Sequence, residues 1–257
     1  MPALAVRDLS YAFQARAAVV HAISGVSLDV ADREFVSIVG PSGCGKSTFL
    51  HIIGGFLHAA SGTIRLDGRD VGPPGPDRGM LFQDLALFPW KTVEGNIAWG
   101  LEERGDDRAT RDRIIQHQLK MVGLSAFRKS YPHELSGGMK QRVALARTLA
   151  YDPAVLLMDE PFGALDAQTR ELMQEQLMEI WAQSPRTVLF VTHDIDEAVY
   201  LSNRVVVFTA RPAAIKKQIE IDLPLPRVPE LKKSERFFHL RNEIWDLLRE
   251  ESIKAYV

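Results

Sequence analysis

Residues 40–48 read "GPSGCGKST" and follow directly on "EFVSIV", a run with the apolar character of a buried strand. Gly40, Gly45, Lys46 and Ser47 fit the spacing G-x-x-x-x-G-K-[ST]. Glycines let backbone N–H groups converge on an anion, and a helix beginning behind them adds the positive end of its dipole. A lysine ammonium at this position reaches terminal phosphates, and the hydroxyl of Ser47 ligates Mg²⁺. The whole stretch, Gly40, Pro41, Ser42, Gly43, Cys44, Gly45, Lys46, Ser47 and Thr48, is read as a phosphate cradle. Cys44 has no activating base beside it in the sequence and reads as a small filler rather than a nucleophile. A second element supplies acid: "VLLMDE" (155–160) is an apolar run that delivers Asp159 and Glu160 at its end. Asp159 suits the Mg²⁺ shell, and Glu160 is placed to polarise a water.

The elements that carry these residues follow from the patterning. Strands are predicted at "LAVRDLSYAF", "VSLDV", "EFVSIVG", "GTIRLDG" and "RGMLFQ", with a helix from about Lys46 to Phe56. From about 87 to 152 the periodicity is helical with charged faces, as in "ATRDRIIQHQLKMVGL". Strand and helix then alternate: "AVLLMDE", "AQTRELMQEQLMEIWAQS", "TVLFVTH", "DIDEAVYLS" and "RVVVFTA". Such alternation implies an α/β fold with a mainly parallel sheet, into which the helical stretch is inserted as a subdomain. "LPLPRVPELKK" is proline-rich and expected to be extended. "SERFFHLRNEIWDLLREE" places Phe237, Leu240, Ile244, Leu247 and Leu248 at helical spacing behind Ser234, a helix cap. That stripe suits a terminal helix packed on its own domain, with a docking helix for a partner as the alternative.

Composition narrows the class. The 257 residues carry a net charge of −2, with 46% hydrophobic and 25% charged side chains, the profile of a chain that buries a real core. No basic footprint points to nucleic acid, and the doublets Lys216-Lys217 and Lys232-Lys233 read as solvated surface. One cysteine excludes an internal disulfide framework and fits a reducing compartment. "MPALAVRDLSYAF" lacks a basic region followed by an apolar core, so no signal peptide is expected. No apolar run approaches the ~20 residues of a membrane helix.

Between the glycine loop's helix and Asp159 lies "ELSGGMKQRVALARTLA", followed after Glu160 by "PFGALDAQTR" and then "VTHD". With these the chain resembles the ATPase subunits of ABC transporters from about residue 4 to 222. The most specific element is LSGG at 135–138. The resemblance implies a P-loop ABC ATPase with a RecA-like core, an antiparallel β subdomain and an inserted helical subdomain (about 87–152). The domain would occupy 1–222, and 223–257 would form a C-terminal extended segment and helix. ATP and Mg²⁺ are the implied cofactors, with Ser47, Gln83 and Asp159 around the metal.

Carried over by resemblance, Ser136, Gly137 and Gly138 would contact the γ-phosphate held by a second copy of the chain. The family's next residue is Gln and here it is Met139, which puts any polar contact at that position in doubt. Gln83 in "LFQD" would hold water near the metal at the hinge to the helical subdomain, and His193 would contact the γ-phosphate. With Glu160 and Lys46 these complete the implied catalytic set. Asp166 in "ALD" would lie in the loop that signals between protomers. Phe13 would stack on adenine, a role its neighbour Tyr11 could also fill.

The implied activity is ATP hydrolysis by the motor subunit of a membrane importer. Its partners would be a second copy of itself, integral membrane permease subunits and, indirectly, a solute-binding protein. It would sit peripherally on the cytoplasmic face of the inner membrane. An exporter ATPase, or a soluble ABC ATPase acting on nucleic acid or ribosomes, is the alternative. "GMLFQDLALFPWKTVEGNIAWGLE" and "IDLPLPR" resemble the nitrate/sulfonate/taurine importer subfamily. There Phe88 to Lys91 would meet a permease helix, against the plainer reading that Trp90 is buried in its own subdomain. The large regulatory domain of the sugar importers is not expected at the C-terminus.

Overall fold

The structure is a computed structural model and describes residues 3–14 and 19–256. In chain order the elements are β1 (Leu4–Gln14), β2 (Val19–Val30), β3 (Phe35–Val39), α1 (Lys46–Ile53), β4 (Ser61–Leu66), β5 (Arg69–Asp70) and β6 (Arg78–Leu81). Then come α2 (Val93–Glu103), α3 (Arg108–Met121), α4 (Gly137–Ala150), β7 (Val155–Asp159), α5 (Ala167–Gln183) and β8 (Thr187–Val191). The chain closes with α6 (Ile195–Leu201), β9 (Arg204–Phe208), β10 (Ile215–Glu220) and α7 (Glu235–Tyr256). They form two compact units, one from Met1–Gly75 with Pro185–Val257, the other from Pro76–Ser184.

The first unit holds two sheets. An antiparallel sheet runs in the order β2-β1-β4-β5, and β10-β9-β3-β8 forms the second. β3 pairs parallel with both β8 and β9, and all five of its residues are buried. A strand covered on both faces reads as a continuous apolar run, which is why "FVSIV" shows no alternation. Phe49 of α1 packs edge-on against Phe208 of β9, centroids 5.4 Å apart, fixing the helix on the sheet. Ile23 of β2 makes a bridge to Ala213, with Ser24 N donating to Ala213 O and Ala213 N to Ala22 O. This ties the antiparallel sheet to the turn between β9 and β10.

In the second unit β6 and β7 pair parallel, and α2, α3 and α4 follow the helical patterning of 93–150. Each is opened by a side-chain cap: Thr92, Asp107 and Ser136 accept from the N–H groups of Gly95, of Ala109 and Thr110, and of Met139. Arg128 links α2 to α3 through Glu94 and Asp112.

Some elements differ from the sequence expectation. α1 stops at Ile53, because Gly54 and Gly55 end it and Gly55 takes φ +80°. β10 was not expected. It is an edge strand whose lysines hide its alternation, and it pairs antiparallel with β9. Residues Pro229–Lys233 form a 3-10 turn rather than an extended segment. Lys216 and Lys217 are not simply solvated: they pair with Glu250 and Glu251, and with Glu243, of α7. Lys232 lies over the Tyr200 ring, 4.7 Å from its centroid. The terminal helix packs on its own unit, burying Phe237, Leu240 and Ile244, with Ser234 Oγ accepting from Phe237 N at its start.

Candidate functional site

In the first unit β3 ends at Val39 and the loop 40–45 turns directly into α1. Gly45 is the cap of α1, has φ +129°, and brings no side chain to the helix's first N–H groups. A methyl there would lie 2.7 Å from Ala22 O, so only glycine fits. Gly43 takes φ +71°, and a methyl on Gly40 would meet Cys44 Sγ at 2.9 Å. Every other α-helix described, α2 to α7, has a side-chain acceptor at its N-terminus: Thr92, Asp107, Ser136, Asp166, Asp194 or Ser234. The phosphate loop alone presents a helix start whose side-chain cap is missing, and a bound anion would complete it.

Lys46 is 5% exposed, and its ammonium donates to Gly40 O (2.8 Å) and Pro41 O (3.1 Å). The cation is thus held against the loop by two of its carbonyls, and its three N–H donors leave one that these bonds do not use. Burial pushes the Cys44 thiol up, against the opposing charges of Lys46 and Arg211, so it stays a neutral filler. Ser47 and Thr48 stand half-buried in the first turn of α1.

Phe13 and Tyr11 meet edge to face, centroids 4.9 Å apart. Phe13 is 43% exposed while Tyr11 is half-buried, so Phe13 is the ring with a face to offer. Their strand is tied near the loop, since Tyr11 pairs with Ile23 and Ile23 bridges to Ala213. His193 follows β8, exposed on a turn that its neighbours brace. Thr192 Oγ1 donates to Glu197 (2.6 Å) and accepts from Asp194 N, while Asp194 caps α6.

The second unit carries the remaining residues. Asp159 is buried at the end of β7, and Glu160 after it has φ +43°, uncommon for a residue with a Cβ. Gly163 N donates to Glu160 O, and Arg170 donates to Leu165 O (2.9 Å), tightening the turn. Asp166 caps α5, accepting from Thr169 N at 3.0 Å, and these hydrogen bonds hold its carboxyl below the usual range. Ser136 caps α4 through its oxygen, so that bond leaves its O–H proton to donate elsewhere. The turn after LSGG and the turn holding Asp166 are neighbours: a methyl on Gly137 would meet Leu165 at 3.5 Å, one on Gly138 would meet Thr169 at 3.0 Å. Gln83 lies exposed past the end of β6.

Sequence reasoning missed two side chains that shape the segment after Gln83. Arg147 of α4 donates to Leu85 O (2.8 Å) and Ala86 O (2.6 Å). Asn96 is fully buried in α2. It accepts from Phe88 N and donates to the carbonyls of Phe88, Lys91 and Thr92. No motif marks either residue: Arg147 is recruited by backbone groups 61 and 62 residues away, while Asn96 turns back on carbonyls four to eight residues before it, a local contact that periodicity does not signal. Trp90 stands on that turn 71% exposed, which overturns burial in its own subdomain.

A glycine-rich turn between a buried parallel strand and a helix start without a side-chain cap defines a P-loop ATPase. The family described as ABC transporter matches residues 23–163. An uncharacterized ABC transporter ATP-binding protein of Methanocaldococcus jannaschii is 48% identical over 252 residues, 98% of this chain and 93% of that protein. The nitrate import ATP-binding protein NrtD of Synechocystis sp. is 46% identical, covering 96% of this chain and 95% of its own. The aliphatic sulfonates import ATP-binding protein SsuB of Bacillus cereus is also 46% identical, with 94% of each chain covered. Among solved structures, a dimeric post-hydrolysis ATP-binding cassette bound to ADP and Pi matches with a TM-score of 0.75. It is 29% identical and covers 86% of this chain and 100% of its own. This chain belongs to the ABC transporter family. Its fold is the α/β P-loop ABC ATPase fold, with a RecA-like core, an antiparallel β subdomain and an inserted helical subdomain.

Proposed function

We propose that the chain is the ATP-hydrolysing motor subunit of a membrane importer for nitrate, a sulfonate, taurine or a related small solute. The observation that carries the nucleotide reading is the start of α1, the one described α-helix whose N-terminal cap is a glycine without a side-chain acceptor. The importer reading is supported by relatives named for nitrate and sulfonate import that match over more than nine-tenths of both chains.

In this reading the N–H groups of loop 40–48 and Lys46 hold the phosphates, and Phe13 stacks on the adenine. Ser47, Asp159 and Gln83 offer a hydroxyl, a carboxylate and an amide, hard oxygen donors of the kind Mg²⁺ prefers. Mg²⁺ in nucleotide sites is usually held by one or two protein groups together with substrate phosphates rather than by an all-protein cage. Mg²⁺ bound there would neutralise charge on the phosphates. Glu160 takes the proton of the attacking water, and His193 steadies the γ-phosphate. Ser136, Gly137 and Gly138 serve the nucleotide of a second copy, with Asp166 beside them in the loop between protomers. ATP favours the closed pair and ADP does not, which is the differential binding that drives motion.

The partners in this reading are that second copy, integral membrane permease subunits received at Phe88 to Lys91 and, through them, a solute-binding protein. The chain then lies peripherally on the cytoplasmic face of the membrane. Among the described residues no helix is long and apolar enough to cross it. The division proposed for the chain places the ATPase domain at 1–222 and the extended segment with α7 at 223–257. The test is detergent-solubilised affinity purification of the tagged chain from its native cells with mass spectrometry. Recovery of polytopic membrane subunits is expected, and recovery of ribosomes or soluble enzymes alone would overturn the importer reading.

A further inference from the structure

The turn between β9 and β10 is built as a rigid piece. Thr209 N donates to Ala214 O (2.9 Å), and Thr209 Oγ1 accepts from Ala214 N (3.0 Å) while lying 3.1 Å from Pro212 O. α7 grips this turn from one side. Glu251 is buried and accepts from Ala210 N at 3.0 Å, and Lys216 and Lys254 pair with the same carboxylate at 3.0 Å and 2.7 Å. Lys216 also donates to Leu247 O (3.1 Å), so β10 and the end of α7 are stapled together.

On its other side the same turn touches the phosphate loop. Arg211 donates to Gly43 O from Nε (3.1 Å) and from its terminal nitrogen (2.5 Å). The side chain of Ala213 lies 3.4 Å from where a methyl on Gly45 would stand. A trans peptide sets its C=O and the following N–H on opposite sides. Arg211, by fixing the Gly43 carbonyl outward, therefore turns the Cys44 N–H into the loop, where it meets Pro41 O at 3.2 Å. The positive charge of Arg211 reaches the loop as well, since it acts on the Cys44 thiol beside that of Lys46.

We propose that Arg211 is a positioning residue for the phosphate loop, and that α7 acts on nucleotide affinity through Glu251, the Ala210 peptide and Arg211. The inference rests on the reading that loop 40–48 holds nucleotide phosphates. It gives the terminal helix a task beyond packing: undocking it loosens the turn, and the loop loses a fixed peptide and a nearby cation.

ADP binding by the full chain, measured calorimetrically, tests this. Arg211→Ala is expected to weaken ADP about fivefold, the scale of one ordinary net hydrogen bond, with Arg211→Lys intermediate. Glu251→Gln is expected to weaken ADP about twofold in the parent chain and to add nothing in the Arg211→Ala background, since its path runs through Arg211. Amide exchange across 40–48 should quicken in Arg211→Ala while exchange in α7 stays as it was, a pattern that mere loss of helix packing does not produce. Wild-type ADP affinity in Arg211→Ala, or independent effects of the two changes, would overturn the proposal alone. A parent chain that binds no ADP would overturn it together with the nucleotide reading.

Discussion

At Gly45 a single missing methyl decides whether the phosphate loop can exist. Its φ of +129° and the 2.7 Å from a would-be Cβ to the Ala22 carbonyl leave no room for alanine. Gly45→Ala is expected to cost about 1–3 kcal/mol of stability and to abolish measurable ATP binding, read by thermal melting and by nucleotide titration of the folded fraction. Glu160 presents the opposite case, a residue whose loss should spare binding. Glu160→Gln keeps size and hydrogen bonding but cannot take a proton. Turnover should fall by about 10²–10⁴ while ATP still binds, and a normal turnover rate would remove Glu160 as the base.

Asn96 shows how an element carries a surface it does not itself form. Its buried amide accepts from Phe88 N and shares its two protons among the carbonyls of Phe88, Lys91 and Thr92. Phe88 O and Thr92 O also have backbone donors, so Asn96→Ala chiefly strips the partner from Phe88 N and a donor from Lys91 O. A loss of about 1–3 kcal/mol is expected in urea denaturation, with faster amide exchange at 88–92. α7 gives a prediction in pH. Burial acts to raise the Glu251 carboxyl, but hydrogen bonds from Lys254, the Ala210 N–H and Lys216 outweigh it and bring it from 4.5 down to about 2. A carboxyl held below its unfolded value stabilises fully above that value and loses the contribution as pH falls through the folded one. Docking of α7 should therefore hold above about pH 4.5 and weaken toward pH 2. Amide exchange in α7 would follow it, and Glu251→Gln should flatten the slope in that window.

For the whole molecule the decisive property is association. With ATP bound and Glu160→Gln blocking turnover, two chains are expected to stay closed as a dimer in sedimentation, and ADP should release them. A variant that stays monomeric with ATP would remove the shared site assigned to Ser136, Gly137 and Gly138. Trp90 bears on the other contact. Trp90→Ala should change the stability of the isolated chain by no more than about 0.5 kcal/mol, as for an exposed side chain, yet reduce recovery of membrane subunits.

What could be read without coordinates was whatever a short stretch decides by itself. The strand, loop and helix around 40–48 were legible because strand burial, glycine freedom and lysine chemistry all act within nine residues. Most strands and helices were legible for the same reason, since their periods are local. The helix caps at Ser234 and the acids closing β7 are local too. The tertiary structure alone decided which distant groups meet. It placed the Ala22 carbonyl under Gly45, exposed Trp90 on a turn held by Asn96 and Arg147, and seated Lys216 on α7, while Lys217 stays half in solvent beside Glu243. It also made β10 a strand, although its lysines mask the alternation, because β9 offered an open edge. The contacts of Arg147 with Leu85 and of Lys216 with Leu247 join segments 62 and 31 residues apart, which no short window contains. Asn96 and the β9–β10 hairpin are close in sequence, but a buried amide and a lysine-bearing edge carry no periodic signal.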